Sequence, residues 1–266
     1  MANVPGMSQA FLDLHVPGSP LLMPNAWDAG SAKILASLGY QAVATTSSGY
    51  AATLGRFDGD VHREEAITHA AELAQAVSIP VSADFENGYD DKPRRVAELV
   101  GLARDLELAG CSIEDHRPRA DEPIYDLELA KERITAAAEA SGDLVLTARC
   151  ENYLHGRPDL ADTIARLQAY QEAGADVLFA PGLTDLEEIS TLCAEVERPV
   201  SVLLLSGGPT PAELGEAGVA RISVGGTFAW NALTGLVEAA RELLAGETGF
   251  LERAATGREV IDDAFR

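Results

Sequence analysis

The strongest constraint on this chain is a pattern that repeats along it: an apolar run, a turn, then a stretch of helical periodicity. Apolar runs fall at residues 21–26, 42–46, 80–85, 111–115, 144–150, 177–180, 200–205 and 221–225. Short apolar runs bounded by turn signals fit strands buried on both faces, as in parallel sheets. Between them, apolar positions recur at helical spacing, as Ala66, Ile67, Ala70, Leu73, Ala74 and Val77 do within 62–77. Asp28, Asp60 and Asp126 stand where N-caps belong. Thr184 with Glu187 and Thr210 with Glu213 read as capping boxes, the second with Pro211 at the first helical position. Glycine follows most of the helices, at Gly39, Gly110, Gly142, Gly174 and Gly218. The small-residue segment 47–58 reads as a loop. Eight strand-helix units close most naturally into a (β/α)8 TIM barrel. An open doubly wound sheet is the rival, but no GxGxxG turn follows an early strand. The expected organisation is one barrel domain over 1–246 and a tail over 247–266 that packs on the barrel or on a neighbouring subunit.

Composition narrows the partners. The 266 residues carry 42 acidic against 20 basic side chains, a formal charge of -22 that would repel nucleic-acid phosphates and anionic membranes. Cys111, Cys150 and Cys193 are odd in number and lack CxxC spacing, so neither a disulfide framework nor a zinc knuckle is expected, and a cytoplasmic setting fits. The start of the chain, Met1 to Asp13, has no basic region followed by a long apolar one, and no run approaches a spanning helix.

In a barrel the chemistry gathers at the carboxyl ends of the strands. Those positions carry Thr46, Ser47 and Ser48, then Asp84 and Glu86, Glu114 and Asp115, and Arg149 and Glu151, while the last three strands end without charge. Asp84 and Glu86, two apart on a strand, would share a face and repel. A hard divalent cation resolves that conflict: Mg2+, or Mn2+, takes one or two carboxylates directly and keeps several waters. Asp115 could instead pair with His116 or Arg117. Arg149 could neutralise Glu151 or Glu114, or its planar fork could hold a substrate carboxylate. Cys150 alternates away from Arg149 and reads as packing.

These residues also carry a resemblance. Pro24-Asn25-Ala26-Trp27-Asp28, the Thr-Ser-Ser-Gly segment leading to Gly55-Arg56-Phe57-Asp58-Gly59, Asp84-Phe85-Glu86-Asn87-Gly88-Tyr89, Ile113-Glu114-Asp115, Ala148-Arg149-Cys150-Glu151 and the segment 173–179 are together similar to the isocitrate lyase and phosphoenolpyruvate mutase superfamily. The resemblance spans about residues 21–244. It implies a Mg2+-dependent barrel that handles 2-oxo acids through enolate-like intermediates, usually a homo-tetramer whose eighth helix swaps between subunits; a homo-dimer is the alternative. By position it implies Asp84 as the direct metal ligand, with Glu86, Asp58 and Glu114 acting largely through bound water. Backbone groups around Thr46, Ser47 and Ser48, with Arg149, would hold the 2-oxo carboxylate. The lyase branch carries a Lys-Cys-Gly-His element after the Ile-Glu-Asp stretch, whose cysteine exchanges a proton with the departing carbanion; here residues 117–125 contain no cysteine. The mutase branch tends to place an aromatic residue before the second-strand loop, where this chain has Val43-Ala44-Thr45.

The expected function is a Mg2+-dependent carbon-carbon lyase or decarboxylase acting on small 2-oxo or 2-hydroxy di- or tricarboxylic acids, such as isocitrate, methylisocitrate, oxaloacetate or a substituted malate. Glu151 and Tyr50 are the candidates for proton transfer, and the loop 117–125 is expected to close over the substrate. The alternatives are phosphorus-carbon chemistry on phosphonopyruvate, as a mutase or hydrolase, and a 2-oxo-acid binding protein without turnover.

Overall fold

A computed structural model describes residues 6–118 and 120–266; Met1 to Pro5, at the start of the chain, and Arg119, within the loop 117–125, lie outside the described residues. In chain order the elements are α1 (Met7–Asp13), β1 (Leu21–Met23), β2 (Asn25–Ala26), α2 (Ala29–Ser37), β3 (Val43–Thr45), α3 (Ser47–Thr53), α4 (Arg63–Ala76), β4 (Val81–Asp84), α5 (Pro93–Asp105) and β5 (Gly110–Glu114). They continue as α6 (Leu127–Ser141), β6 (Val145–Arg149), α7 (Leu160–Glu172), β7 (Val177–Phe179), α8 (Leu186–Glu195), β8 (Val200–Leu203), α9 (Pro211–Glu216), β9 (Arg221–Ser223), α10 (Thr227–Leu244) and α11 (Phe250–Ala264).

All strand pairings are parallel, in the order β1-β9-β8-β7-β6-β5-β4-β3-β2. The two ends of that sheet are consecutive in the chain. Pro24 interrupts what the sequence presents as one strand over 21–26, since proline supplies no N–H to the ladder. β1 before it pairs with β9, β2 after it pairs with β3, and the Pro24 carbonyl still accepts from Ala44 N–H at 2.9 Å. The eight-stranded barrel therefore closes through a split first strand. Asn25 staples the seam, donating to the Thr45 carbonyl at 2.8 Å and accepting from the Val224 and Gly225 N–H groups at 3.0 and 2.9 Å.

Three local expectations are corrected. Residues 47–53 form helix α3 rather than loop: Thr46 caps it, its Oγ1 accepting from Gly49 N–H at 3.3 Å. The small residues there serve packing, because a Cβ on Gly49 would lie 2.5 Å from Thr46 Cγ2 and 3.1 Å from both Ala229 and Trp27. The N-cap of α4 is His62 rather than Asp60, with its N–H donating to Glu65 at 3.0 Å. Asp185, rather than Thr184, caps α8, accepting from the Glu187 and Glu188 N–H groups. The capping box at Thr210 and Glu213 is present.

Helix α1 packs across the strand starts, where Phe11 joins Leu21, Ala42, Ala109, Val145 and Val177 in a small apolar cluster. The tail 247–266 contains α11, which packs on α2; Phe265 lies near Gly30, with Lys33 Nζ 6.0 Å from its ring centre. Helix α10 keeps only Ala229 buried and leaves Trp230, Leu236, Leu243 and Leu244 in solvent. Among the described residues no helix is long and apolar enough to cross a membrane.

The fit between α1 and the barrel floor is tightest at Gly110, where a Cβ would come within 2.8 Å of Phe11 Cε1 and 2.9 Å of the Val145 carbonyl oxygen. A backbone oxygen held in a ladder cannot yield as a flexible side chain would, so overpacking has no cheap relief. Gly110→Ala is expected to lower stability by about 2 kcal/mol, read as a clear drop in Tm. An unchanged Tm would show that the floor accommodates an added methyl group.

Candidate active site at the barrel mouth

The residues facing the barrel interior follow from register, because parallel partners share a face. Asp84 is the partner of Ser112, and Ser112 of Thr147. A second row runs Glu114, Arg149, Phe179, Ser201, Arg221. Of these, Asp84, Ser112, Arg149, Phe179 and Arg221, together with Thr46, Ser47, Ser48 and Asp58, line a cavity of about 190 Å³.

Arg149 organises the mouth. Its Nη1 donates to Asp84 Oδ1 at 3.0 Å, its Nε and Nη2 donate to Glu151 Oε1 at 3.0 and 2.7 Å, and Nη2 lies 3.3 Å from Glu114 Oε2. Burial works against its charge, but the three carboxylates outweigh that and raise its pKa well above the usual guanidinium value. Burial likewise opposes ionisation of Glu151, yet Arg149 and a contact from His155 Nε2 at 3.6 Å hold the carboxyl below its ordinary pKa. Glu151 is thus kept as an anion that orients Arg149, a poor position for a proton donor. His155 is raised in turn by Glu151, and its ring stacks on His116 at 3.8 Å between centres, with His116 Nδ1 3.5 Å from Glu114 Oε1.

Beyond Asp84 the strand ends. Glu86 has φ 48° and Tyr89 φ 59°, so the expectation that Asp84 and Glu86 share a strand face is corrected: Glu86 is turned by a left-handed backbone, an uncommon conformation for such a residue. Its carboxylate accepts from Tyr89 Oη at 3.2 Å, and its carbonyl accepts from Glu114 N–H at 2.9 Å. The turn is clamped from below by Arg133, which donates to the carbonyls of Asn87 and Asp90 and lies 4.1 Å over the Tyr125 ring. Tyr125 Oη donates to Asp91 at 2.6 Å and accepts from Asn87 Nδ2 at 3.1 Å. The loop after β5 is tied to the same turn, with Arg117 3.4 Å from Asp91 and its N–H donating to the Pro123 carbonyl.

The mouth is electrostatically frustrated. Burial first, then the charges of Asp84, Glu114 and Asp58, push Glu86 up to about 8, and burial also raises Glu114 despite Arg149. A hard divalent cation fits this all-oxygen donor set and would relieve the repulsion. Among the described residues no three His, Cys, Asp or Glu side chains already converge on one metal position. That arrangement suits a cation held by one carboxylate and by waters that the others orient.

Of the residues expected at the site, Thr46, Ser47, Ser48, Asp58, Asp84 and Arg149 line one cavity. Ser47 N–H points to Asp84 Oδ2 at 3.4 Å, and Asp58 accepts from the Ser47 side chain. Glu86 instead borders an adjoining cleft, while Glu114 and Glu151 lie behind Arg149. Tyr50 is not brought in: its ring stacks on His69 at 3.8 Å between centres and lines neither space. Asp115 pairs with neither His116 nor Arg117; it accepts from Tyr170 Oη at 2.6 Å and Glu151 N–H at 2.8 Å and lies 3.3 Å from Arg166, which makes it a strut beneath the site. Cys150 is buried, with its thiol pKa raised, as packing requires. Sequence reasoning missed Arg221, His116 and His155. Arg221 had a signal, since polar residues alternate with apolar ones along β4, β5, β6, β8 and β9.

Fold and site together define a (β/α)8 barrel whose mouth gathers carboxylates and one guanidinium at the carboxyl ends of its strands. A family model described as phosphoenolpyruvate phosphomutase matches residues 11–244. The solved structure of a candidate lyase/mutase from Burkholderia cenocepacia J2315 is 47% identical, with a TM-score of 0.90 over 96% of this chain and 94% of that one. The 2-methylisocitrate lyase of Escherichia coli K12 is 30% identical over 222 residues, 75% of this chain and 74% of the lyase. A phosphonopyruvate hydrolase solved with oxalate and Mg2+ is 22% identical, with a TM-score of 0.83 over 93% of this chain and 90% of that one, a likeness of fold. The chain belongs to the phosphoenolpyruvate mutase and isocitrate lyase superfamily, whose members are enzymes, lyases and mutases among them.

The raised carboxyl of Glu86 gives a pH-dependent test. Folded Glu86 retains a proton that the unfolded chain releases, so between pH 4.5 and 8 folding takes up a proton and stability falls as pH rises. In EDTA, Glu86→Gln is therefore expected to be more stable than the wild type by about 4 kcal/mol near pH 8, the difference shrinking toward pH 4.5. Denaturant titrations of both proteins across that range check it; a constant difference would remove Glu86 as the source of frustration.

Proposed function

We propose that the protein is a Mg2+-dependent lyase or decarboxylase that breaks a carbon-carbon bond in a small 2-oxo or 2-hydroxy di- or tricarboxylic acid. The observation that carries this reading is the crowd of carboxylates around Asp84, with Glu86 and Glu114 held above their ordinary pKa, beside a cavity sized for a small acid. Mg2+, or Mn2+ in its place, would be held by Asp84 directly and by Asp58, Glu86 and Glu114 through water. Such a cation supplies Lewis-acid stabilisation of negative charge developing on an acid oxygen.

The chain's own groups do the rest. Thr46, Ser47 and Ser48, at the first turn of α3, receive the acid's carboxylate with Arg149 beside them. Glu151 fixes the plane of Arg149, and the cation-π contact of Arg149 on Phe179, 5.1 Å from the ring centre, backs it from below. The segment 117–125 closes the rim through Arg117 and Tyr125 and limits water access. We further propose that the exposed apolar side of α10 is covered in a homo-oligomer, dimer or tetramer.

The family model supports a second reading, phosphorus-carbon chemistry on phosphonopyruvate, which would use the same cation and carboxylate contacts. Assays of oxaloacetate, isocitrate, methylisocitrate, substituted malates and phosphonopyruvate, each with Mg2+ and with EDTA, separate the two. Turnover of a carbon acid without phosphate release is the expected result. Asp84→Ala is expected to reduce it roughly 100-fold or more. Activity that survives chelation or Asp84→Ala would sink the metal-dependent reading; binding without turnover of any of them would leave a 2-oxo-acid binding protein.

A further inference from the structure

Arg221 is the one guanidinium in the cavity wall that no carboxylate neutralises among the described residues. It is 2% exposed, the first residue of β9, and its side chain runs into the barrel interior. Three of its five N–H groups are spoken for. Nε donates to Ser201 Oγ at 2.9 Å, and Nη1 reaches Thr147 Oγ1 at 3.1 Å and His15 Nε2 at 3.3 Å. His15 is the acceptor in that last contact. Burial and the charge of Arg221 push the imidazole down to about 3, so it is neutral, and its Nδ1–H serves the Phe11 carbonyl at 2.9 Å. Nη2 is left with two N–H groups and no acceptor from the described residues.

Arg149, by contrast, has its forked donors occupied by Asp84, Glu151 and Glu114. It is a positive centre already enclosed by negative charge. The two arginines lie in the same register row, separated by Phe179 and Ser201, and both approach the Phe179 ring, Arg149 at 5.1 Å and Arg221 at 5.8 Å from its centre. A buried guanidinium without a counter-ion is costly, and burial together with repulsion from Arg149 lowers its pKa to about 9. Evolution of a merely structural barrel core has cheaper ways to join Ser201, Thr147 and His15. The hydroxyls of Ser112 and Ser223 line the same space and add neutral donors suited to an anion's oxygens.

We propose that Arg221 is an anion-binding floor of the cavity, which receives a second carboxylate, or a phosphonate, of the acid whose other end is held at the Asp84 and Arg149 mouth. This rests on the reading of the mouth as an acid site and deepens it: the substrate carries two anionic ends, and Arg221 selects for the second. Arg221 is then a binding residue fixed by Ser201, Thr147 and His15, which hold Nε and Nη1 and leave Nη2 free.

The test compares three acids by calorimetry on the intact chain with Mg2+: oxalate, whose two carboxylates are joined directly; 2-oxobutyrate, with an uncharged far end; and 3,3-difluorooxaloacetate, with a second carboxylate. The wild type is expected to bind difluorooxaloacetate at least about tenfold more tightly than 2-oxobutyrate, a gap set by one charge-assisted contact from Nη2. In Arg221→Met that preference is expected to vanish, with oxalate affinity changed less than about threefold, and Arg221→Lys is expected to retain part of it. Equal wild-type affinity for the two longer acids overturns the floor, and this arm needs no variant that might fail to fold. An equal loss of oxalate and difluorooxaloacetate in Arg221→Met also overturns it, since it would mark a general electrostatic or structural role. Failure of oxalate to bind the wild type overturns the acid-site reading and the floor with it.

Discussion

The mouth of this barrel depends on one guanidinium shared among three carboxylates. Asp84, Glu114 and Glu151 come from three successive strand ends, and without Arg149 they would converge as uncompensated charge in a buried space. Removing one partner of such a cluster is far more damaging than its net contribution suggests, because the charges left behind stay desolvated. Arg149 therefore sets the spacing of the strand ends as well as the field within them. The neutralisation is also incomplete: one positive charge faces several negative ones, and Glu86 and Glu114 respond by holding protons more tightly. A hard divalent cation would relieve that shortage of positive charge.

The strained turn after β4 follows from the same need. The left-handed backbone at Glu86 and Tyr89 turns the Glu86 carboxyl off the line of the strand and onto Tyr89 Oη. Strain of this sort persists only where neighbours over-determine it. Here Arg133, wedged under Asn87 and Asp90 and against Tyr125, does so from α6, and Tyr125 links the turn to the loop after β5. The loop with no cysteine is thereby coupled mechanically to the stretch that carries Glu86.

Much of this was legible in the sequence, and the failures have physical causes. The barrel was readable because buried parallel strands are continuous apolar runs and the helices keep a clear period. The split of the first strand was not, because the closure between β1 and β9 is a long-range event to which Pro24 only gives permission. Helix α3 was hidden by its composition: Ser47, Ser48 and Gly49 look like a loop, yet the close approach of Thr46 first, then Trp27 and Ala229, is what demands glycine. Strand-end acids announced the site, but Asp115 and Tyr50 show the limit of that signal. Direction within a strand end decides between mouth and strut, and one residue of offset sends Asp115 outward to Tyr170 and Arg166.

Arg221 illustrates the deeper gap between pattern and chemistry. In sequence it is a charged residue at the edge of an apolar run, and only the alternation of polar with apolar residues along the strands separates it from a solvated strand start. Register turns it inward, in line with Glu114, Arg149 and Phe179, and the helix α1 floor beneath it supplies a neutral histidine instead of a counter-ion. The barrel thus has opposite electrical characters along its depth, acidic at the rim and basic at the floor. A small molecule bearing only one charge could satisfy one of these regions. On the proposal that Arg221 is an anion-binding floor, an acid with two anionic ends, accompanied by a cation at the rim, would satisfy both.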